Sequence, residues 1–262
     1  MTGIYDDPWA YELACSFRDV SAEVDVLLGW CARHRPSPGP VGTVLELAAG
    51  PAEHAREFAR RGVAATALDI NPAMCAYAAE QAKLADVPLD VVQGDMTGFE
   101  LDRRFDLVVT MLDSTSHLMT LDAFVAHLDR AAAHLAPGGL YVLEMSHPRD
   151  RLGDEPSTST GWTVARGGVR ATVRWGEPED RLDPVTQIAD DHVTMTIDLG
   201  GGSARVIRDV VPYRFWSATE LDAALRLSGA LEPAARYGDF GEVPLTGPDA
   251  WRMITVLRPA TG

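Results

Sequence analysis

The sequence predicts an α/β protein built on a doubly wound, mainly parallel sheet, and three observations carry that prediction. Short apolar runs alternate with helix-period segments between residues 43 and 145, the pattern of consecutive βαβ units. The first run, Val44-Leu45-Glu46-Leu47-Ala48, passes through Ala49-Gly50-Pro51-Ala52 straight into a helical stretch, giving strand, tight glycine turn and helix in immediate succession. From Gly161 to Val211 apolar and polar residues alternate, as in Val169–Trp175 and His192–Leu199, the pattern of antiparallel strands with one dry and one wet face.

Taken in order, residues 1–35 read as one or two amphipathic helices ahead of the sheet. Tyr5, Tyr11 and Phe17 recur every six residues with Trp9 between them, and Val20, Val24, Leu27 and Leu28 continue at helical spacing. Such a segment either packs on the core or forms a lid whose aromatics cover a ligand, and Ile4 to Trp9 is too polar and broken for core alone. Arg35-Pro36-Ser37-Pro38-Gly39-Pro40 ends all helix. After the first strand, Glu53 to Arg61 is a helix with Ala55, Phe58 and Ala59 inward and Gly62 as its stop. Val63 to Leu68 is a second strand ending at Asp69, and Asn71-Pro72 caps a helix with Met74, Tyr77, Ala78, Gln81 and Leu84 at turn spacing. Leu89 to Gln93 and Phe105 to Met111 are strands three and four, Asp122 to Leu135 is a helix, Pro137-Gly138-Gly139 is punctuation, and Leu140 to Met145 is strand five. Beyond the alternating region, Ser217-Ala218-Thr219-Glu220 is a capping box before the helix Leu221 to Ser228. Strands near Ala234–Tyr237 and Met253–Leu257 bring the main sheet to seven. The expected units are a helical lid and linker over 1–40, a core over 41–150 and 212–262, and an antiparallel β insertion over 151–211.

At 262 residues, 46% of them hydrophobic, the chain buries one full core. No apolar run reaches membrane-spanning length and the start lacks a signal-peptide pattern, so the expected location is cytoplasmic, with no membrane partner. A net charge of −15 argues against a nucleic-acid partner. Cys15, Cys31 and Cys75 lack metal-ligand spacing and read as reduced, mostly buried thiols.

The ligand of the first turn follows from small details. A dinucleotide site needs three spaced glycines for the approach of a pyrophosphate; Ala48-Ala49-Gly50-Pro51-Ala52-Glu53 holds one glycine and a carboxylate at the helix start. Glu46, Asp69 and Asp95 belong to three successive strands or their ends, so the three carboxylates are expected at one edge of the sheet. That edge suits a ligand with a sulfonium, an ammonium and a ribose but no phosphate.

At these residues the chain resembles the class I S-adenosylmethionine (SAM)-dependent methyltransferases with their Rossmann-like fold, through Glu46 to Ala52, Asp69-Ile70, Gly94-Asp95-Met96, Phe105 to Val109 with Met111-Leu112-Asp113-Ser114, and Leu135 to Leu140. The family more often has glycine where Ala48 and Ala52 stand. The resemblance implies that Asp69 accepts from the ribose hydroxyls, Ile70 packs on the adenine, Asp95 accepts from its exocyclic amine, and Met111 and Leu112 line the methionine moiety. Glu46, Ala48, Gly50, Met74, Gly94 and Met96 complete the implied cofactor set with Tyr11 and Arg18, the latter pairing with the methionine carboxylate. The aromatic N-terminal helix and the β insertion are similar to those of small-molecule enzymes such as glycine and amino-sugar N-methyltransferases.

Methyl transfer to N, C or O of a small, ring-bearing, specialised-metabolite acceptor is then the expected reaction, leaving S-adenosylhomocysteine (SAH). It asks chiefly for in-line positioning and a dry pocket. Tyr5, Trp9, Trp162, Trp175, Tyr213 and Trp216, with Glu144, are the candidate acceptor walls, and His117, His147 and Asp113 the candidate bases. His34, His54, His127, His134 and His192 read as structural. No metal-ligand cluster is evident, and a monomer or a homodimer fits equally. A SAM-binding sensor without catalysis and an NAD(P)-dependent oxidoreductase are the alternatives; the latter lacks its glycine fingerprint.

Overall fold

The computed structural model describes residues 3–36, 39–153 and 159–260. A 3-10 turn (Ile4–Asp6) leads into α1 (Pro8–Cys15) and α2 (Val20–His34), then β1 (Thr43–Leu47), α3 (Glu53–Arg60), β2 (Ala64–Asp69), α4 (Pro72–Leu84), β3 (Leu89–Gln93) and β4 (Phe105–Thr110). A second 3-10 turn (Ser114–His117) precedes α5 (Leu121–Ala133), β5 (Leu135–Ser146) and the single turn α6 (Arg149–Leu152). Four further strands follow, β6 (Thr160–Arg166), β7 (Val169–Trp175), β8 (Ile188–Asp198) and β9 (Ala204–Arg214), and then α7 (Ala218–Ser228), β10 (Leu231–Tyr237) and β11 (Arg252–Pro259).

The main sheet has the order β10-β11-β5-β4-β1-β2-β3. Pairs from β5 to β3 are parallel, and β11 runs antiparallel to both of its neighbours. The chain winds outward from β1 through β2 to β3, then returns to place β4 on β1's other side. The crevice at the carboxyl ends of β1 and β4 is therefore the switch point, where open α/β sheets bind ligands.

Adjacent residues of each central strand feed opposite layers. Val44, Leu107, Val109, Val142 and Ile254 join Leu27, Trp30 and Phe58 of α2 and α3 on one face, while Leu45, Val108, Tyr141, Leu143 and Met253 meet Phe124, Leu128 and Leu225 of α5 and α7 on the other. This double burial is why the strands read as nearly continuous apolar runs. β6 to β9 form a separate antiparallel sheet. Its dry face, with Ala171, Val173, Val193, Met195 and Ile207, packs on Ile4, Ala10, Leu13 and Ala14. α1 thus packs on the insertion sheet, and α2 on the main core.

Several local expectations are corrected. Leu84 is exposed, its inward place being taken by Ala82. Leu135 opens β5 instead of closing α5, and Pro137-Gly138-Gly139 lies inside that strand, where its register against β4 breaks. Gly139 has a steric reason: a Cβ there would stand 2.8 Å from Phe105 O. The capping box forms as expected, with Glu220 N donating to Ser217 Oγ at 3.2 Å and Ser217 N to Glu220 Oε2 at 2.9 Å. Ser217→Ala is expected to cost about 1 kcal/mol in urea unfolding; no change in midpoint would mean the cap contributes nothing. Among the described residues no helix is long and apolar enough to cross a membrane.

Candidate active site

The turn after β1 is built without the usual side-chain cap. Ala52, in the N-cap position of α3, offers no side-chain acceptor, so Glu46 supplies one from within β1: its Oε2 accepts from Ala55 N at 2.8 Å. Its Oε1 lies 3.4 Å from His54 Nδ1. Burial works against a charged His54, but hydrogen bonds to Glu23 and Glu46 overcome it and push the imidazole up to about 9. Glu46 borders the cavity, yet its carboxylate is spent on the helix start and on His54. Glu46, Asp69 and Asp95 do border one cavity, as expected of acids at one edge of the sheet.

Ala48, Gly50 and Ala52 all have left-handed backbones, with φ of +50°, +53° and +57°. For the two alanines that conformation costs roughly 1–2 kcal/mol each. The turn is held by its neighbours: Gly50 N donates to Asp69 Oδ2 at 2.6 Å and Ala49 N to Leu68 O at 3.0 Å. Asp69 Oδ1 accepts from Asn71 N at 2.8 Å. Burial raises the Asp69 carboxyl, with the N–H groups of Asn71 and Gly50 opposing it. Tyr11 and Met74 flank the same turn, 3.9 and 4.0 Å from where a Gly50 Cβ would stand. Ile70 is 65% exposed on the cavity wall. Asp95 gives Oδ1 to Thr97 N and Oγ1, each at 2.8 Å, and its Oδ2 has no partner among the described residues. Gly94 and Met96 border the cavity beside it.

At the end of β4 the chain turns through Leu112 and Asp113, both left-handed, with φ of +54° and +57°. Glu144 holds that turn from β5: its Oε2 accepts from Leu112 N at 3.0 Å, and its carbonyl from Asp113 N at 3.2 Å. Glu144 is fully buried and pairs with Arg18 at 2.9 Å and Arg252 at 3.1 Å. Burial alone would raise its carboxyl, but the two guanidinium groups hold it at about 2. It therefore stands behind the wall as a positioning residue, which corrects its expected place against the acceptor. Arg18 also departs from expectation. It borders the cavity, but Glu23, at 2.7 Å, and Glu144 already match its charge.

Beyond Met111 the cavity widens toward the insertion sheet. Tyr5 Oη and His117 Nε2 are 3.1 Å apart, and burial lowers the His117 pKa. Asp113 accepts from Ser146 Oγ at 2.6 Å, and burial pushes its carboxyl up to about 6. Trp162, Trp175 and Tyr213 border this end. Cys15 borders it too, its thiol pushed up to about 12 by burial and so kept neutral. Three expected residues lie elsewhere. Trp216 is buried in the core against Phe124, and its Nε1 donates to Thr115 O and Leu118 O, each at 3.1 Å, fastening the turn that carries His117. Trp9 lies outside, with the Arg205 guanidinium 5.9 Å from its ring centre. His147 uses both ring nitrogens, Nδ1 accepting from Arg149 N at 3.1 Å and Nε2 donating to Leu245 O at 2.9 Å, so no site is left for a substrate proton.

Arg151, Asp191 and Arg252 also border the cavity and were missed by sequence reasoning. Asp191 had a legible signal: it occupies a dry-face position of β8 between the buried Ala189 and Val193. Its Oδ2 accepts from Trp175 Nε1 at 3.2 Å and Arg151 Nη2 at 3.3 Å.

One cavity of about 1100 Å³ takes in both ends, above the usual range of roughly 300–1,000 Å³ for a single small-molecule site. Among the described residues no group of three or more His, Cys, Asp or Glu is placed to hold a metal ion. Sheet order and cavity together define an α/β protein with a ligand site at its switch point. Residues 44–139 match the family described as "Methyltransferase domain". The cypemycin N-terminal methyltransferase of a Streptomyces species is 30% identical over 97% of this chain and 98% of that protein. The dTDP-3-amino-3,4,6-trideoxy-alpha-D-glucopyranose N,N-dimethyltransferase of Streptomyces venezuelae is 30% identical over 81% of this chain and 84% of its own. A SAM-dependent methyltransferase from Clostridium acetobutylicum shares the fold, with a TM-score of 0.79 at 14% identity over 95% of this chain and 96% of that one.

The chain belongs to the class I SAM-dependent methyltransferases, and SAM is its methyl donor. The oxidoreductase alternative falls with that assignment. The residues fit this cofactor: a nucleoside without phosphate meets no cationic clamp at the β1 turn, Asp95 Oδ2 can accept a hydrogen bond from an amine N–H, and Ile70 offers an uncovered apolar face.

Proposed function

We propose that this enzyme methylates the nitrogen of an amine on a small, polar natural-product-type molecule. The observation that carries the reading is the hydrogen-bonded pair Tyr5 and His117 inside the cavity, with the imidazole kept neutral by burial. Support comes from a relative named as an N,N-dimethyltransferase of a dTDP-linked amino-deoxy-glucopyranose and from another named as an N-terminal methyltransferase.

An amine reacts only after losing its ammonium proton. Tyr5 Oη donates to His117 Nε2 in the resting pair; as Oη takes the ammonium proton, its own proton passes to Nε2, and the nitrogen lone pair is freed. Tyr5 itself stays a neutral phenol, its pKa raised by burial. Asp113, one turn away, supplies negative charge that draws the ammonium in. When bound, SAM supplies a methyl group already electrophilic on a sulfonium. Asp69 and Asp95 hold the ribose and the adenine amine, Ile70 and Met74 pack on the nucleoside, and Tyr11, Met111 and Leu112 bound the methionine end. The N-terminal segment acts as the lid. Trp162 Nε1 donates to Ala14 O at 2.7 Å and Asn71 Nδ2 to Tyr5 O at 3.1 Å, so the segment is tied to both the insertion sheet and α4.

The test is transfer of labelled methyl from SAM to a panel of amines, matched alcohols and phenols. Transfer to amines alone is expected; transfer to the hydroxyl compounds alone would sink the reading. Asp69→Ala is expected to raise the calorimetric Kd for SAM at least about tenfold, since a charge-assisted acceptor is removed. Unchanged affinity would show that Asp69 does not hold the ribose.

A further inference from the structure

Asp191 and Arg151 present an unfinished ion pair on the cavity wall. Asp191 comes from the dry face of β8, Arg151 from α6, and their side chains are 1% and 11% exposed. One contact joins them, Arg151 Nη2 to Asp191 Oδ2 at 3.3 Å. The other halves of the two groups, Asp191 Oδ1 and Arg151 Nη1, are buried with no hydrogen-bond partner among the described residues. Unmade hydrogen bonds on buried charged groups are costly and rare in native proteins. Here an unmet acceptor and an unmet donor belong to the same pair, and both residues border the cavity.

Resting on the amine-methylation reading for the acceptor's place in the cavity, we propose that Asp191 and Arg151 bind a hydroxyl group of the acceptor and select for amino alcohols. A hydroxyl is the simplest group that satisfies both atoms, donating to Asp191 Oδ1 and accepting from Arg151 Nη1. An ammonium satisfies only the aspartate. A carboxylate or phosphate satisfies only the arginine and faces the charge of Asp191. An apolar group leaves both bare. The pair is also linked to the reacting end: the Arg151 guanidinium lies over the Tyr213 ring, 4.8 Å from its centre, and the Tyr213 hydroxyl bonds to Asp113. A molecule with a hydroxyl on the carbon next to its amine carries both groups at short range. Asp191 and Arg151 are thus specificity-determining residues, separate from the Tyr5 and His117 pair that handles the proton.

The test uses trans-2-aminocyclohexanol and cyclohexylamine, ring amines that differ by one hydroxyl, titrated calorimetrically into the enzyme saturated with SAH. The amino alcohol is expected to bind at least about tenfold more tightly, because a site built for a hydroxyl loses its hydrogen bonds when the hydroxyl is missing. That preference is expected to vanish in Asp191→Asn, and independently in Arg151→Met, while SAH affinity stays near that of the unmodified enzyme. Equal affinity for the two probes, no detectable binding of the amino alcohol, or a preference that survives both substitutions would overturn the proposal. A preference lost only together with SAH binding in both variants would assign the pair to stability and overturn it as well. Labelled-methyl transfer to each probe is followed in parallel. Hydroxyl preference without transfer to either amine counts against the amine reading alone, and transfer to both without preference counts against the hydroxyl site alone.

Discussion

Replacing His117 with alanine is expected to lower kcat for an amine acceptor by about a hundredfold, at the lower end of what a positioned base contributes, while leaving the Kd for SAM unchanged. Tyr5→Phe should lose a similar amount, because the proton then has no path to Nε2. The pH profile gives the sharper readout. Burial holds the imidazole below its ordinary value, so the unmodified enzyme keeps its rate down to a pH below about 6.5 and loses it as Nε2 becomes protonated. In His117→Ala that acid limb should be absent. An unchanged limb in the variant would move the base to Asp113, whose carboxyl is pushed up to about 6.

The second large effect concerns stability. Glu144→Ala leaves two guanidinium groups, Arg18 and Arg252, without their shared buried counter-charge, and removing one partner of a buried pair costs about 3–5 kcal/mol. It also removes the acceptor of Leu112 N, so the left-handed turn carrying Asp113 loses a support. The sign of the pH dependence follows from the carboxyl, held at about 2 by Arg18 and Arg252 against its burial. This value lies below the roughly 4.3 of an unfolded glutamate. The stabilisation is therefore fully present above about 4.3 and disappears as pH falls through about 2. Urea unfolding at neutral pH measures the loss, and a change under about 1 kcal/mol would show that the network contributes little.

How far the sequence reached depends on the kind of question asked. The five central parallel strands, the glycine turn and the capping box of α7 were legible because each rests on neighbours in the chain: a period of apolar residues, a residue able to turn left-handed, a hydroxyl three residues before a carboxylate. The change to alternation at Gly161 announced the second sheet for the same reason. Misreadings arose where a residue's partner is distant in sequence. Trp216 and Trp9 have the composition of a binding wall and His147 that of a base, yet one packs in the core, one faces outward and one has both nitrogens occupied. Leu135 and Gly139 belong to a strand because Phe105 lies beside them.

By itself, then, the sequence determined the layer architecture, the place of the nucleoside turn and the order of the acids at the strand ends, since apolar period and turn chemistry are local properties. Which acids remain free for a ligand was decided only by tertiary structure. Glu46 is consumed by the start of α3, Glu144 by two arginines, and Asp95 keeps an open oxygen, because hydrogen-bond capacity is shared out among groups that meet only when the chain folds. The Tyr5–His117 contact spans 112 residues and the Arg151–Asp191 pair joins two separate elements, so neither could be read from spacing along the chain.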